Sequence, residues 1–218
     1  MQLAQARFNM IEQQIRPWDV LDQRVLDLLE ALPRDTFVND SNKPLAYADI
    51  NIALDHGEVM MSPKLEARMV QTLNIGDTER ALEVGTGSGY VTGLLAKMAA
   101  HVTSVDIHED FLLQAKSRLD HHDISNVTLE QGDASNGWKT DAESYDVIAV
   151  TGSLPQYIDA FAQSLNVGGR LFVIAGQPPI MEALLVTRVT VDEWVKQSLF
   201  ETDLAPLKNA KTPSSFIF

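Results

Sequence analysis

Cysteine is absent from all 218 residues, which removes disulfides, thiolate nucleophiles and the cysteine-rich zinc motifs together. Basic residues are also scarce. Seventeen Lys and Arg face thirty Asp and Glu, and the resulting formal net charge of −13 argues against nucleic acid as a partner, because phosphates would be repelled by most of the surface. No apolar run approaches the roughly 20 residues of a membrane-spanning helix. The opening stretch MQLAQARFNMIEQQIR mixes polar and apolar residues at helical spacing instead of forming the apolar block of a signal peptide. A soluble, unexported, cytoplasmic protein without a membrane partner is expected. Repeats, linkers and low-complexity tracts are missing as well, so 1–218 is expected to be a single domain. No feature of the sequence sets an oligomeric state.

The most informative segment present is LEVGTGSGYVTGLLA, Leu82 to Ala96, in which an apolar strand runs into a glycine-rich turn that opens a helix. Gly85, Gly87 and Gly89 permit a sharp strand-to-helix turn, with bare backbone available to a ligand. Dinucleotide folds carry similar glycines, so the neighbours decide the cofactor. Glu83 stands two residues before the first glycine, where a carboxylate would repel a pyrophosphate and suits the ammonium of an amino acid. S-adenosyl-L-methionine is the cofactor expected. HVTSVDI reads as a second strand ending at Asp106, roughly 20 residues on, the distance at which an acid meets ribose hydroxyls. LEQGDA ends a third strand with Asp133, an acceptor suited to the adenine amino group. Each acid alone is equally well a helix cap, and the glycines alone equally well a packing device. Their joint order makes one site.

From Arg80 onward, strand and helix patterns alternate, which predicts an α/β fold: a three-layer, doubly wound, mostly parallel sheet. Strands are expected near 80–84, 101–106, 127–130, 145–150 and 169–175, and helices near 91–99, 109–120 and 155–165. Residues 1–75 form a helical lead-in, with a helix starting at Asp22 and ended by Pro33 and another from Pro63 to Leu73. Residues 76–218 form the cofactor-binding core. ALLVTRVT and EWVKQSLFE predict a C-terminal antiparallel hairpin. In such sheets ligands lie at the carboxyl ends of the strands, so TGSLP places Thr151 toward substrate; a helix cap by Ser153, with Pro155 in the first turn, is the alternative. His56, before Gly57, borders the expected site or is an idle loop residue. His121 and His122 are adjacent and point about 100° apart on a helix, which suits surface residues, and no metal site is expected.

Beyond these features, the chain resembles the protein-L-isoaspartate O-methyltransferase family over nearly its whole length. The resemblance rests on RVLDLLEALPRDTFV, AYAD, the glycine segment, NVTLEQGDASNGW, YDVIAVTGSLPQ, LNVGGRLFVIAGQ and LFETDLAPL, in that order. It implies a Rossmann-like methyltransferase fold with an unusual order in its last strands, S-adenosylmethionine as methyl donor, and isoaspartyl residues of damaged proteins or peptides as acceptors. It also implies Glu83, Gly85, Thr86, Gly87, Asp106, Asp133 and Ala134 around the cofactor.

One segment departs from the family pattern. Where the family carries a Thr-Ile-Ser-Gln-Pro run whose hydroxyls face donor and substrate, this chain has Val59, Met60, Met61, Ser62 and Pro63. Two hydroxyls are lost, and Ser62 is the nearest candidate catalytic replacement. Met60 and Met61 read first as plain core packing; an apolar wall, with Val59, for a small-molecule acceptor, or a non-catalytic cofactor-binding protein, are the alternatives.

Overall fold

The computed structural model describes residues 2–138 and 144–212. Helix α1 (Gln2–Met10) is followed by α2 (Gln23–Ala31), whose first turn is capped by Asp22 through a 2.9 Å bond from the Arg24 amide. Short turns lead to a two-stranded antiparallel ribbon, β1 (Ile52–Ala53) with β2 (Val59–Met60), and then to α3 (Pro63–Leu73), with proline at its first position as the sequence predicts. Leu65, Met69 and Leu73 are all buried on one face of α3.

The main sheet begins with β3 (Arg80–Val84), α4 (Tyr90–Ala96), β4 (His101–Asp106), α5 (Glu109–His121) and β5 (Val127–Gln131). The chain then crosses back to β6 (Tyr145–Leu154), passes through one short helical turn, α6 (Ala160–Gln163), and continues as β7 (Leu165–Gln177), β8 (Ile180–Arg188) and β9 (Trp194–Thr202). The strand order is β5-β4-β3-β6-β7-β8-β9, parallel through β7 and antiparallel over the last two pairings. The hairpin expected at the C-terminus is β8–β9. Alternate residues of β3 enter opposite cores: Ala81 packs with the helices α1 to α4, while Leu82 and Val84 pack with Phe161 and Leu171 on the other face. That alternation explains why the central strands read as continuous apolar runs.

Two expectations need correcting. Of the helix predicted for 155–165, only Ala160–Gln163 is helical, between β6, which runs to Leu154, and β7, which begins at Leu165. Ser153 is therefore no helix cap: it lies within β6, its hydroxyl donates to Leu204 O at 2.7 Å, and its backbone exchanges bonds with Ala205 and Leu207. Nor is His122 a plain surface side chain. It stacks on Phe37 at 5.1 Å and bonds Thr36 Oγ1 at 2.7 Å.

Candidate active site

The strand order reverses between β3 and β6, and a solvent-open cleft of about 840 Å³ lies there, at the carboxyl ends of the parallel strands. Glycine supplies the turn that roofs it. Gly85 has φ +97°, and a Cβ there would stand 2.4 Å from Thr151 Oγ1. Gly89 has φ +82° and would place a Cβ 2.8 Å from that of Ala115. These two glycines are thus required by packing as well as by the turn. A register shift in β6 between Ala149 and Ser153 turns Thr151 inward. Its hydroxyl then meets Val84 O at 2.9 Å and Gly85 O at 2.7 Å. Thr151 lines the cleft, with its one proton engaged by the glycine turn.

Glu83, Asp106 and Asp133 all line this cleft, as do Thr86, Gly87 and Ala134. Glu83 is fully buried; Oε2 accepts from Thr92 at 2.5 Å and Ser104 at 2.6 Å, while Oε1 has no partner. Burial pushes its carboxyl up to about 8 against the pull of those two hydroxyls. Thr86 Oγ1 lies 2.6 Å from Ser104 Oγ, so Thr86 supports Ser104, which holds Glu83. Asp106 accepts from the amides of Gly87 at 2.8 Å and His108 at 2.9 Å. Burial raises its pKa, and these amides lower it. Asp133 accepts from the Ser135 amide at 2.9 Å and from Asn209 Nδ2 at 2.8 Å, bonds that lower its pKa.

The segment that departs from the family pattern divides. Leu54, Val59, Met60 and Met61 line the cleft. Ser62 is not among the lining residues; it is buried at the N-terminus of α3, where its carbonyl accepts from Leu65 and Glu66. His56 is also absent from the lining and stands outside, stacked on His108.

Residues not anticipated from sequence complete the walls. Glu58, Glu66, His108, Leu207 and Lys208 all line the cleft. Lys208 lies 3.6 Å from Glu58 and donates to His56 O, so the segment after β9 closes over the loop before β2. Glu66 is paired with the fully buried Arg34 at 2.9 Å, and Arg34 also donates to Ala46 O and Met61 O. Burial pushes the Glu66 carboxyl up to about 7, opposed by Arg34. Long sequence separations conceal these partners: 32 residues part Arg34 from Glu66.

Residues 5–210 match the model of the protein-L-isoaspartate(D-aspartate) O-methyltransferase family. The chain belongs to that family. A Protochlamydia amoebophila protein-L-isoaspartate O-methyltransferase is 35% identical over 199 residues, covering 91% of this chain and 94% of the relative. The Serratia proteamaculans protein of the same name is 36% identical over 171 residues, covering 78% and 82%. A Plasmodium falciparum structure assigned to the same activity, in complex with S-adenosyl-L-homocysteine, superposes with a TM-score of 0.76 over 94% of this chain and 98% of the other. At 18% identity that likeness shows the fold alone.

Proposed function

We infer that this chain transfers a methyl group from S-adenosylmethionine to the side-chain carboxylate of isoaspartyl residues in damaged proteins or peptides. The observation that carries this is the family match across residues 5–210, joined to a cleft in which three acids and a glycine turn meet an apolar wall. The cleft fits the cofactor on its own chemistry. Glu83 Oε1 is a buried acceptor without a donor, suited to an ammonium, directly or through water; Asp106 keeps lone pairs for ribose hydroxyls, and Asp133, beside Ala134, for an adenine amino group. One apolar core runs from Met10 to Leu204, which supports 1–218 acting as a single domain, with 1–75 supplying one wall and 76–218 the cofactor cleft.

Bound S-adenosylmethionine supplies an electrophilic methyl on a sulfonium. The acceptor carboxylate is ionised near neutral pH, so no base is required of the protein. The protein's tasks are alignment and removal of water. Leu54, Val59, Met60 and Met61, which line the cleft, would supply an apolar wall that keeps water from the bound donor and acceptor. Ser62 lies off that wall, and Lys208 is a cationic donor on the cleft lining suited to orienting the acceptor carboxylate.

The test is transfer of labelled methyl to an isoaspartyl peptide, with the aspartyl isomer as control. Selective labelling is expected. Labelling only of a low-mass acceptor, or cofactor binding without transfer, would replace this function with a small-molecule methyltransferase or a cofactor-binding protein. Lys208→Ala is expected to raise KM for the peptide about three- to tenfold, within the 0.5–1.5 kcal/mol of a typical hydrogen bond.

A further inference from the structure

At the rim of the cleft, His56 and His108 stack with ring centroids 4.0 Å apart and planes inclined by 5°. His56 Nε2 lies 3.0 and 2.9 Å from the two oxygens of Asp110. His108 Nε2 is buried without a hydrogen-bond partner, 3.7 Å from Glu58 Oε1. One ligand atom from each of His56, His108 and Asp110 lies within 4.8 Å of the other two. We propose that these three side chains form a binding site for a divalent cation of the zinc class at the rim of the methyl-transfer cleft, which shares His108 with it.

The donor chemistry selects that ligand. A tetrahedral ion about 2.0–2.1 Å from each ligand atom needs those atoms roughly 3.4 Å apart. In the stack the two imidazoles hold their lone pairs in nearly parallel planes, so binding turns the exposed His56 ring out of the stack to bring its nitrogen onto an ion shared with His108 and Asp110. Two imidazoles and one carboxylate suit Zn²⁺, Ni²⁺ or Cu²⁺ and not Mg²⁺ or Ca²⁺, which take oxygen ligands. Glu58 stands next to His108 as a fourth ligand or an outer partner; water takes whatever coordination remains. His56 holds a left-handed backbone, φ +60°, followed by Gly57 at φ +78°, a conformation uncommon for a residue with a side chain. That turn delivers the ring to His108. Asp110 lies in the first turn of α5, where the helix dipole disfavours a cation, and the carboxylates of Asp110 and Glu58 offset it.

The proposal departs from the expectation, read from the sequence, of no metal site. His56 and Asp110 are 54 residues apart, so no short spacing announces them. Occupancy would clamp the loop before Val59 onto α5. It would also stiffen the backbone next to Asp106, which accepts from the His108 amide.

The test titrates Zn²⁺ into untagged, chelator-stripped full-length protein by calorimetry, and Co²⁺ by visible absorption. The expected result is one Zn²⁺ per chain and the intense absorption of low-coordinate Co²⁺. His56→Ala and His108→Ala should each weaken binding at least about tenfold, the scale attached even to outer-sphere partners. His121→Ala should leave it unchanged. Melting of the metal-free variants verifies folding, and the exposed His56 is the replacement least able to disturb it. Absence of Zn²⁺ heat, weak multi-site binding, or binding lost in His121→Ala but kept in His56→Ala each overturns the proposal.

Discussion

Glu83 occupies a position where ionisation is costly, fully buried with one oxygen left without a donor. Its folded pKa, raised to about 8 from 4.5, means that the folded chain binds a proton more readily than the unfolded chain between those values. Its contribution to stability is therefore greatest below pH about 4.5 and is lost as pH rises toward 8. Glu83→Gln, neutral throughout, should flatten that part of the pH–stability curve, checked by denaturant melts of both proteins across the range. A cationic ligand reverses the preference and draws the carboxylate into its ionised form. Binding of S-adenosylmethionine near neutral pH should then release protons, measured as a calorimetric heat that changes with buffer ionisation enthalpy. Glu83→Gln should abolish the release and weaken binding about ten- to a hundredfold, the 1.5–3 kcal/mol of a hydrogen bond to a charged group. A variant that binds as tightly as the parent would show that Glu83 serves packing alone. The place of Glu83 in the cleft was legible in the sequence because strand ends of a parallel sheet share one edge. Its hydroxyl partners were not: Ser104 lies 21 residues away on β4, where only the strand register brings them together.

Among the elements, the glycine turn and the Arg34–Glu66 pair do different work. Gly89→Ala would combine a positive φ with a Cβ 2.8 Å from that of Ala115, so α4 and α5 would have to separate. A loss of about 1–3 kcal/mol is expected, the scale of overpacking and backbone strain, measurable as a lower denaturant midpoint with an unchanged slope. Arg34 joins the lead-in to α3 by bonding Glu66 and the carbonyls of Ala46 and Met61. Arg34→Met strands a buried carboxyl and two carbonyls, and about 3–5 kcal/mol should be lost. Glu66→Gln keeps a hydrogen-bond acceptor but leaves the buried Arg34 guanidinium without its counter-charge, so about 3–5 kcal/mol should be lost there too; a negligible cost would place the energy in the carbonyl bonds and not in the ion pair. Both strands of the hairpin and the helix Pro63–Leu73 could be read from periodicity and proline. The strand character of Ser153 could not, because β6 and the segment 204–207 extend one another there, a non-local pairing that overrides the local pattern of a helix cap.

At the scale of the whole molecule, the charge of −13 sets a field that every acceptor must enter. An isoaspartyl peptide brings a carboxylate of its own, so long-range repulsion opposes the encounter while Lys208 at the cleft attracts it locally. Peptides flanked by lysine should therefore show a lower KM than peptides flanked by glutamate, by about tenfold at low salt, the lower end of electrostatic steering effects. Raising ionic strength from about 0.01 M to 1 M shortens the screening length from about 30 Å to 3 Å and should erase most of that difference. If the preference survives high salt unchanged, it arises from short-range contacts in the cleft and not from the protein's net charge. Lys208→Ala separates the two, because it removes the local attraction and leaves the distant acidic surface in place. The flanking-residue preference should then grow in the variant at low salt, since less local positive charge offsets the repulsion of an acidic peptide.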